Sequence, residues 1–193
     1  MPGRGESGHT EEQIRAYTVG ELQPLQGRVV LADYDPLWPQ FFLTEAQALQ
    51  NVLGERALMI EHVGSTSVPG LPAKPIVDMM LVVTNSADEP AYLPDLEHAG
   101  YVLRIREPDW HEHRLFKGPR TNINLHVFSV NCPEIGRMLT FRDWLRENDA
   151  DRERYANAKR ALAQREWKYV QNYADAKTAV VEEIIARAHD ARQ

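Results

Sequence analysis

The segment EHVGSTSVPGLPAKPIVDMMLVV, residues 61–83, carries a charge inside a predicted core strand. Its second half, residues 75–83, is apolar except for Asp78, and such a run is typical of a strand inside a sheet. Burying an ionised carboxylate without a partner is costly, so we expect cations, a metal ion or hydrogen-bond donors beside it. Two interpretations follow: a structural pairing with Lys74, Arg114 or backbone N–H groups, or the ligation of a Mg²⁺ ion that phosphate oxygens also hold.

The loop that precedes this strand has a composition suited to phosphate binding. Gly64, Ser65 and Thr66 combine small side chains, hydroxyls and backbone N–H groups at one end of the predicted sheet. Pro69, Pro72 and Pro75 stiffen the loop, and Lys74 adds a positive charge that can pair with a phosphate. The alternative is an ordinary connection between two strands.

The remaining pattern predicts an α+β fold, in which helices flank a mixed sheet and a helical C-terminal segment follows from Pro133. We predict one domain over residues 28–193, after an N-terminal extension, residues 1–27, that is partly disordered and contains a short helix from Thr10. A helix within residues 36–54 is expected to bury Phe41, Phe42, Leu49 and Leu53. The predicted strands are GRVVLADYD, RALMIEHVG, KPIVDMMLVV, GYVLRI, WHEHRLFK and TNINLHVFSV.

Composition limits the class of protein. The chain has 193 residues, a net charge of −6 and no segment with a strong basic excess, so we expect no nucleic acid partner. It contains neither a long apolar run nor a secretory signal pattern, which predicts a cytoplasmic protein without a membrane partner. The single cysteine, Cys132, has no CxxC partner and is interpreted as a structural thiol.

Three histidines fall in predicted strands that can meet at one end of the sheet. His62, His113 and His126 are candidate metal ligands together with Asp78, because imidazole suits Zn²⁺, Mn²⁺ or Fe²⁺. His126 or Glu61 is a candidate general base. The alternative for each histidine is a place outside any site, and His9 and His98 are predicted to be surface residues.

The order and spacing of several motifs resemble the GrpB-like family of small bacterial proteins, which also occurs fused to dephospho-CoA kinases. The resemblance covers residues 28–188, and its most distinctive part is the segment quoted first. The other matching motifs are YDPLWPQFF (34–42), HRLFKG (113–118), NLHVF (124–128), FRDWLREN (141–148) and YANAKRALA (155–163).

The resemblance implies a nucleotidyltransferase-like fold. Gly64 and Ser65 match the glycine–serine pair that binds nucleotide phosphates in that superfamily, and Asp78 matches the first acid of its metal site. Met80 stands at the second acidic position, and the strand expected to bear the third acid offers His126. A centre with two metal ions needs several carboxylates, so these departures put two-metal transfer in doubt. The resemblance also implies that Arg142, Lys159 and Lys177 face the sheet and meet an anionic ligand, although spacing alone favours a solvated face for them.

Three functions follow as hypotheses, each with a small phosphorylated molecule as partner. The first is transfer of a nucleotidyl or phosphoryl group to a small-molecule acceptor, with a nucleotide and Mg²⁺ or Mn²⁺ as cofactors. The second is a degenerate member that binds a nucleotide or phosphometabolite without catalysis. The third is a metal-dependent hydrolase built on aspartate and histidine.

Overall fold

The computed structural model describes residues 8–192, and within this range seven α-helices surround one five-stranded sheet. The strands are β1 (Met59–Val63), β2 (Val77–Val83), β3 (Val102–Glu107), β4 (His113–Lys117) and β5 (Ile123–Ser129). The helices are α1 (Glu11–Tyr17), α2 (Trp38–Leu53), α3 (Leu93–His98), α4 (Pro133–Glu147), α5 (Asp149–Ala163), α6 (Val170–Asp175) and α7 (Thr178–Asp190). None of the described helices combines the length and the apolar character needed to span a bilayer.

The sheet is mixed, with the strand order β1-β2-β5-β4-β3. β2 and β5 run parallel at its centre, and the other neighbouring strands are antiparallel. In this register Asp78 lies opposite Asn124, and Met80 lies opposite His126. Because paired residues point to the same side of a sheet, these four side chains share one face. The predicted α+β class, with its mixed sheet, flanking helices and helical C-terminal segment, is confirmed.

The other face of the sheet holds the main hydrophobic core. Met79, Leu81 and Leu125 alternate with the residues of the first face and pack beneath α2 and α3. Helix α2 contributes Trp38, Leu49 and Leu53, which recur at helical spacing, and it ends at Gly54 as predicted. This core fixes β2 and β5, and therefore the face that carries Asp78.

The face that carries Asp78 is covered in two parts. Helix α4 packs over Met80, Val82 and Phe128, which form a smaller apolar cluster. Helices α5 to α7 lie beyond the loop between β1 and β2. Asp151 of α5 connects α4 and α7, because it accepts hydrogen bonds from Trp144 Nε1 of α4 at 2.7 Å and from Arg187 Nη2 of α7 at 2.6 Å. A cleft stays open between these helices and the ends of the central strands.

The strand predicted for residues 27–35 and the predicted burial of Phe41 are wrong. Residues 27–35 form no strand, and only Ala32 makes an isolated bridge, to Ala73, because Val29 is buried against the C-terminal helices instead of in the sheet. Phe41 is exposed, since the buried side of α2 passes through Trp38, Glu45 and Leu49 and leaves Phe41 at its margin.

The predicted N-terminal extension is described from residue 8 onward, and the disorder expected for residues 1–7 lies outside the described residues. Helix α1 begins after Thr10, whose side chain and that of Gln13 form the predicted capping box. The segment after α1 bridges to β3 through Thr18 and Ile105. His9, predicted to lie on the surface, is instead half-buried beside Asp175, with Nδ1 at 3.0 Å from a carboxylate oxygen. The exposed position predicted for His98 is confirmed.

Candidate functional site

A cleft of about 490 Å³ opens between the sheet and the C-terminal helices, at the end of β2 where the loop begins. Helix α1 and the segment that follows it close one side, and α5 and α6 close another. Its walls are largely apolar, with Ile14, Leu31, Leu115 and Met138 among them. Its charged and polar lining includes Ser65, Thr66, Lys74, Asp78, Arg104, Lys117, Asn124, His126, Lys159 and Lys177.

Asp78 contributes the carboxylate of the cleft. Its side chain is 28% exposed, and Asn124 Nδ2 donates to Oδ1 at 2.7 Å. Burial raises the pKa of this carboxyl, but His126, Asn124 and Lys74 together outweigh that effect, so its pKa lies below the ordinary value. Asp78 is therefore a fixed, ionised carboxylate, and the partners that the sequence analysis required for it are present.

Lys117 and Asn124 form a short chain that orients Asp78. Lys117 Nζ donates to Asn124 Oδ1 at 2.6 Å, while the amide nitrogen of Asn124 donates to Asp78. The ammonium therefore fixes which side of the amide faces the carboxylate. Burial lowers the pKa of Lys117, and the nearby Lys74 lowers it further. The sequence analysis missed both residues, although alternation along the predicted strand placed Lys117 on the face of His113 and Leu115.

Lys159 connects α5 with the loop. Its side chain is buried, Nζ donates to Ser65 Oγ at 3.0 Å, and the Pro72 carbonyl accepts a second hydrogen bond. The ammonium also lies 4.7 Å from the ring centre of Tyr155. Desolvation lowers the pKa of Lys159 to about 6, and the charge of Lys177 contributes to the shift.

Lys74 and Lys177 approach the ring of Tyr173, with Nζ at 5.9 Å and 4.7 Å from the ring centre. Neither lysine has an ion pair among the described residues, and burial lowers the pKa of both. The Tyr173 hydroxyl is buried without a hydrogen-bond partner within the described part of the chain. Together with Lys117, Lys159 and Arg104, the two lysines give the cleft five basic side chains around Asp78. A protein of net charge −6 thus concentrates positive charge at this position.

His126 reaches the cleft from β5, and His113 lies behind it. Glu107 Oε2 is 2.7 Å from His113 Nδ1, and His113 Nε2 is 3.0 Å from His126 Nδ1. A carboxylate only accepts, so His113 carries a proton on Nδ1. The remaining nitrogen of His126, Nε2, lies 3.7 Å from Asp78 Oδ1. Glu107 was not predicted from the sequence.

Four predicted site residues lie away from the cleft lining: His113, which lies behind His126, and His62, Glu61 and Arg142. His62 pairs with Met79 across the strands, so it points to the opposite face from Asp78, where its ring stacks on Phe42 at 5.0 Å. Arg142 Nη1 donates to Glu61 Oε2 at 2.7 Å, which ties these two residues to each other. His62, Glu61 and Arg142 therefore lie outside the lining of the cleft. The predicted site residues that line it include Asp78, His126, Lys74, Lys159 and Lys177.

The described residues offer little to a metal centre. No group of three or more histidine, cysteine, aspartate or glutamate side chains in residues 8–192 is arranged to hold an ion. Asp78 and His126 converge, but His62 faces away and His113 is engaged with Glu107. A two-metal centre does not fit this set, because it needs several carboxylates.

Comparisons with known proteins agree on one family. Residues 28–187 match the family described as "GrpB protein". The chain is 62% identical over 180 residues to a UPF0157 protein of Halalkalibacterium halodurans, covering 93% of this chain and 92% of the relative. It overlays the crystal structure of GrpB from Enterococcus faecalis with a TM-score of 0.74 and 35% identity, over 84% of this chain and 99% of the other. A protein of Mycolicibacterium paratuberculosis named dephospho-CoA kinase is 28% identical over 78% of this chain and 43% of its own length. The chain therefore belongs to the GrpB family.

Proposed function

We propose that the cleft binds a small phosphorylated molecule, with a nucleotide as the favoured class. The observation that carries this proposal is the set of five basic side chains around one carboxylate. Burying ammonium groups without counter-ions is unfavourable, and the lowered pKa values of Lys74 and Lys177 report that cost. A ligand with several phosphate charges would offset it.

The shape and walls of the cleft support the nucleotide class. Its volume of about 490 Å³ lies in the range of small-molecule pockets. Apolar side chains such as Ile14, Leu31 and Leu115 can accept a base or another apolar group while the lysines hold the phosphates. The relative named dephospho-CoA kinase supports an association of this family with phosphorylated substrates.

Group transfer is a second candidate, and the contact between Asp78 and His126 favours it. His126 Nε2 lies at the cleft 3.7 Å from Asp78 Oδ1, and an imidazole in this position can exchange a proton with an acceptor hydroxyl. Mg²⁺ or Mn²⁺ that enters with the phosphates of a nucleotide would have Asp78 as its protein carboxylate, and the ion would supply charge neutralisation there. Without transfer, the same cleft serves a non-catalytic binding protein.

Thermal unfolding with added ligands tests the binding proposal. We expect ATP or ADP to raise the melting temperature more than adenosine does, and the effect to weaken as salt increases. Lys177→Gln should weaken nucleotide binding at least about tenfold, because it removes a desolvated charge from the cleft. Lys168→Gln is the matched control, since Lys168 is exposed and pairs with Glu11 away from the cleft.

The variant Asp78→Asn distinguishes nucleotide binding that involves a metal ion from nucleotide binding by the lysines alone. If Mg²⁺ or Mn²⁺ binds with the nucleotide, the variant should lose the extra stabilisation that the metal gives. If the lysines alone hold the phosphates, the same variant should bind nucleotide as well as or better than the parent protein, because a negative charge has gone. Equal melting temperatures with and without every phosphorylated ligand would refute the binding proposal.

A further inference from the structure

Ser65 and Lys159 form a pair that binding of a phosphate does not require. Lys159 is only 2% exposed, and its Nζ lies 3.0 Å from Ser65 Oγ. Lys177, which has no ion pair among the described residues, lines the cleft as a lysine that attracts phosphates would. Lys159 is instead directed at a hydroxyl that lines the cleft.

We propose that Ser65 is a nucleophile and Lys159 its general base, so that Ser65 accepts a phosphoryl or nucleotidyl group from the bound ligand. This inference rests on the proposed function, since the ligand provides the phosphorus atom that is attacked. It assigns to Ser65 more than the phosphate-binding role predicted from the sequence.

Ser65 is positioned for attack by the loop. It follows Gly64, whose φ of +67° turns the chain at the end of β1, and it begins the short 3₁₀ turn Ser65–Ser67. Ser65 lines the same cleft as Lys74 and Lys177. Phosphates held by these two lysines would therefore share the cleft with Ser65, and the ammonium groups would balance negative charge that develops on the phosphate oxygens.

Lys159 has the surroundings of a proton acceptor. Burial lowers its pKa to about 6, the charges of Lys177 and Arg160 add to the shift, and the charge of Asp78 opposes it. Tyr155 faces the same amine from α5, with its ring centre 4.7 Å from Nζ. Lys159 Nζ donates to Ser65 Oγ and to the Pro72 carbonyl. At neutral pH most of the amine is uncharged, so its lone pair is then available to take the proton of the Ser65 hydroxyl as that oxygen attacks.

The reaction balances without a further reactant. Ser65 Oγ forms a bond to phosphorus while the bond from phosphorus to the leaving oxygen breaks. The hydroxyl proton passes to Lys159 Nζ, which returns it to the leaving oxygen. An acceptor hydroxyl or water then takes the group from Ser65, and its proton returns through Nζ to Ser65 Oγ.

A fluorophosphonate probe tests the pair on the full chain, because it supplies phosphorus with a good leaving group and needs no nucleotide. Intact-mass and peptide analysis should find a single adduct, on Ser65. The labelling rate should rise with pH through about 6, where Lys159 loses its proton, and then level off. Lys159→Met should lower the rate about 100-fold or more.

Two serine variants complete the test. Ser65→Ala should abolish labelling, whereas Ser67→Ala should label like the parent, because Ser67 Oγ donates to the Gly64 carbonyl instead of pairing with Lys159. No adduct on Ser65, an adduct on another residue, or an unchanged rate in folded Lys159→Met would overturn the proposal. If Lys159→Met does not fold, the pH profile of the parent decides, and a rate that does not change near pH 6 counts against the pair. Melting shifts with ATP are measured separately, so failure of labelling and failure of ligand binding are distinguishable.

Discussion

Gly64 and Asp78 approach each other so closely that Gly64 has no room for a side chain. A Cβ placed on Gly64 would lie 2.5 Å from Asp78 Oδ2. The register of β1 and β2 sets this contact, because Val63 pairs with Asp78 and the chain turns at the next residue. Gly64 also has a φ of +67°, which residues with side chains rarely adopt. The loop and the carboxylate of the cleft are therefore one structural unit.

Gly64→Ala is expected to lower the free energy of unfolding by about 2–4 kcal/mol, since it adds a steric clash to an unfavourable backbone conformation. Chemical denaturation measures the change. Gly70→Ala is the matched control, because Gly70 has a φ of +77° but no atom within 4 Å of its added Cβ. The control should lose only about 1 kcal/mol. Equal losses in the two variants would show that the contact with Asp78 has no energetic effect.

Local sequence patterns were sufficient to predict most strands of the sheet, but they did not predict how side chains are arranged around the cleft. The apolar run of β2 and the alternation of β4 and β5 predicted these strands, and Asp78 was identified because its charge interrupts such a run. The segment around Val29 resembled a strand because apolar residues that pack on helices show the same local pattern as residues of a sheet.

The direction of individual side chains depended on register, which no local pattern contains. His62 and Asp78 were grouped as metal ligands, but the antiparallel pairing of Val63 with Asp78 puts His62 on the other face. Arg104 and Glu107 lie on β3, an edge strand far from the loop in sequence, and only the strand order brings β3 into the same sheet. Contacts of this kind are set by tertiary structure.

Asp151 should be the strongest polar contributor to the stability of the C-terminal helices. It accepts from Trp144 and from Arg187, and breaking these contacts with Asp151→Asn should cost about 1–3 kcal/mol. Asp149→Asn is the control, because Asp149 is 89% exposed and its pair with Arg152 should contribute less than about 1 kcal/mol. Urea denaturation compares the two variants, and similar losses would contradict a special role for Asp151.

The effect of Asp151 should also depend on pH. The hydrogen bond from Arg187 lowers the pKa of this carboxyl, although burial opposes the shift. A carboxyl whose pKa is lower in the folded protein stabilises it above the pKa of the unfolded chain, about 3.9, and that contribution disappears as the pH falls through the folded value. The stability difference between the parent and Asp151→Asn should therefore shrink in acid. A difference that stays constant below about pH 4 would contradict this linkage.

His62 should make the protein sensitive to mild acid. Burial lowers its pKa from 6.5 to about 4, so the unfolded chain binds a proton in this range that the folded protein does not. The free energy of unfolding should fall by about 2–3 kcal/mol from His62 alone as the pH decreases from 6.5 to about 4. Denaturation at several pH values should show a smaller loss for His62→Gln. His98→Gln, a change at an exposed histidine, should keep the pH dependence of the parent, and a parent-like dependence in His62→Gln would rule out this source of acid sensitivity.

Met80 should not be convertible into the second acid of a metal site. It is completely buried and packs with Val63, Val82 and Phe128 beneath α4, so its side chain belongs to an apolar cluster and is absent from the lining of the cleft. Met80→Asp should lower the free energy of unfolding by about 3–5 kcal/mol, because it buries a carboxylate without a partner, whereas Met80→Leu should cost less than about 1.5 kcal/mol. Chemical denaturation measures both, and melting with added Mn²⁺ should show no gain in metal binding for Met80→Asp over the parent. A stable Met80→Asp variant that binds Mn²⁺ would contradict this prediction and would mean that this strand position opens to the cleft.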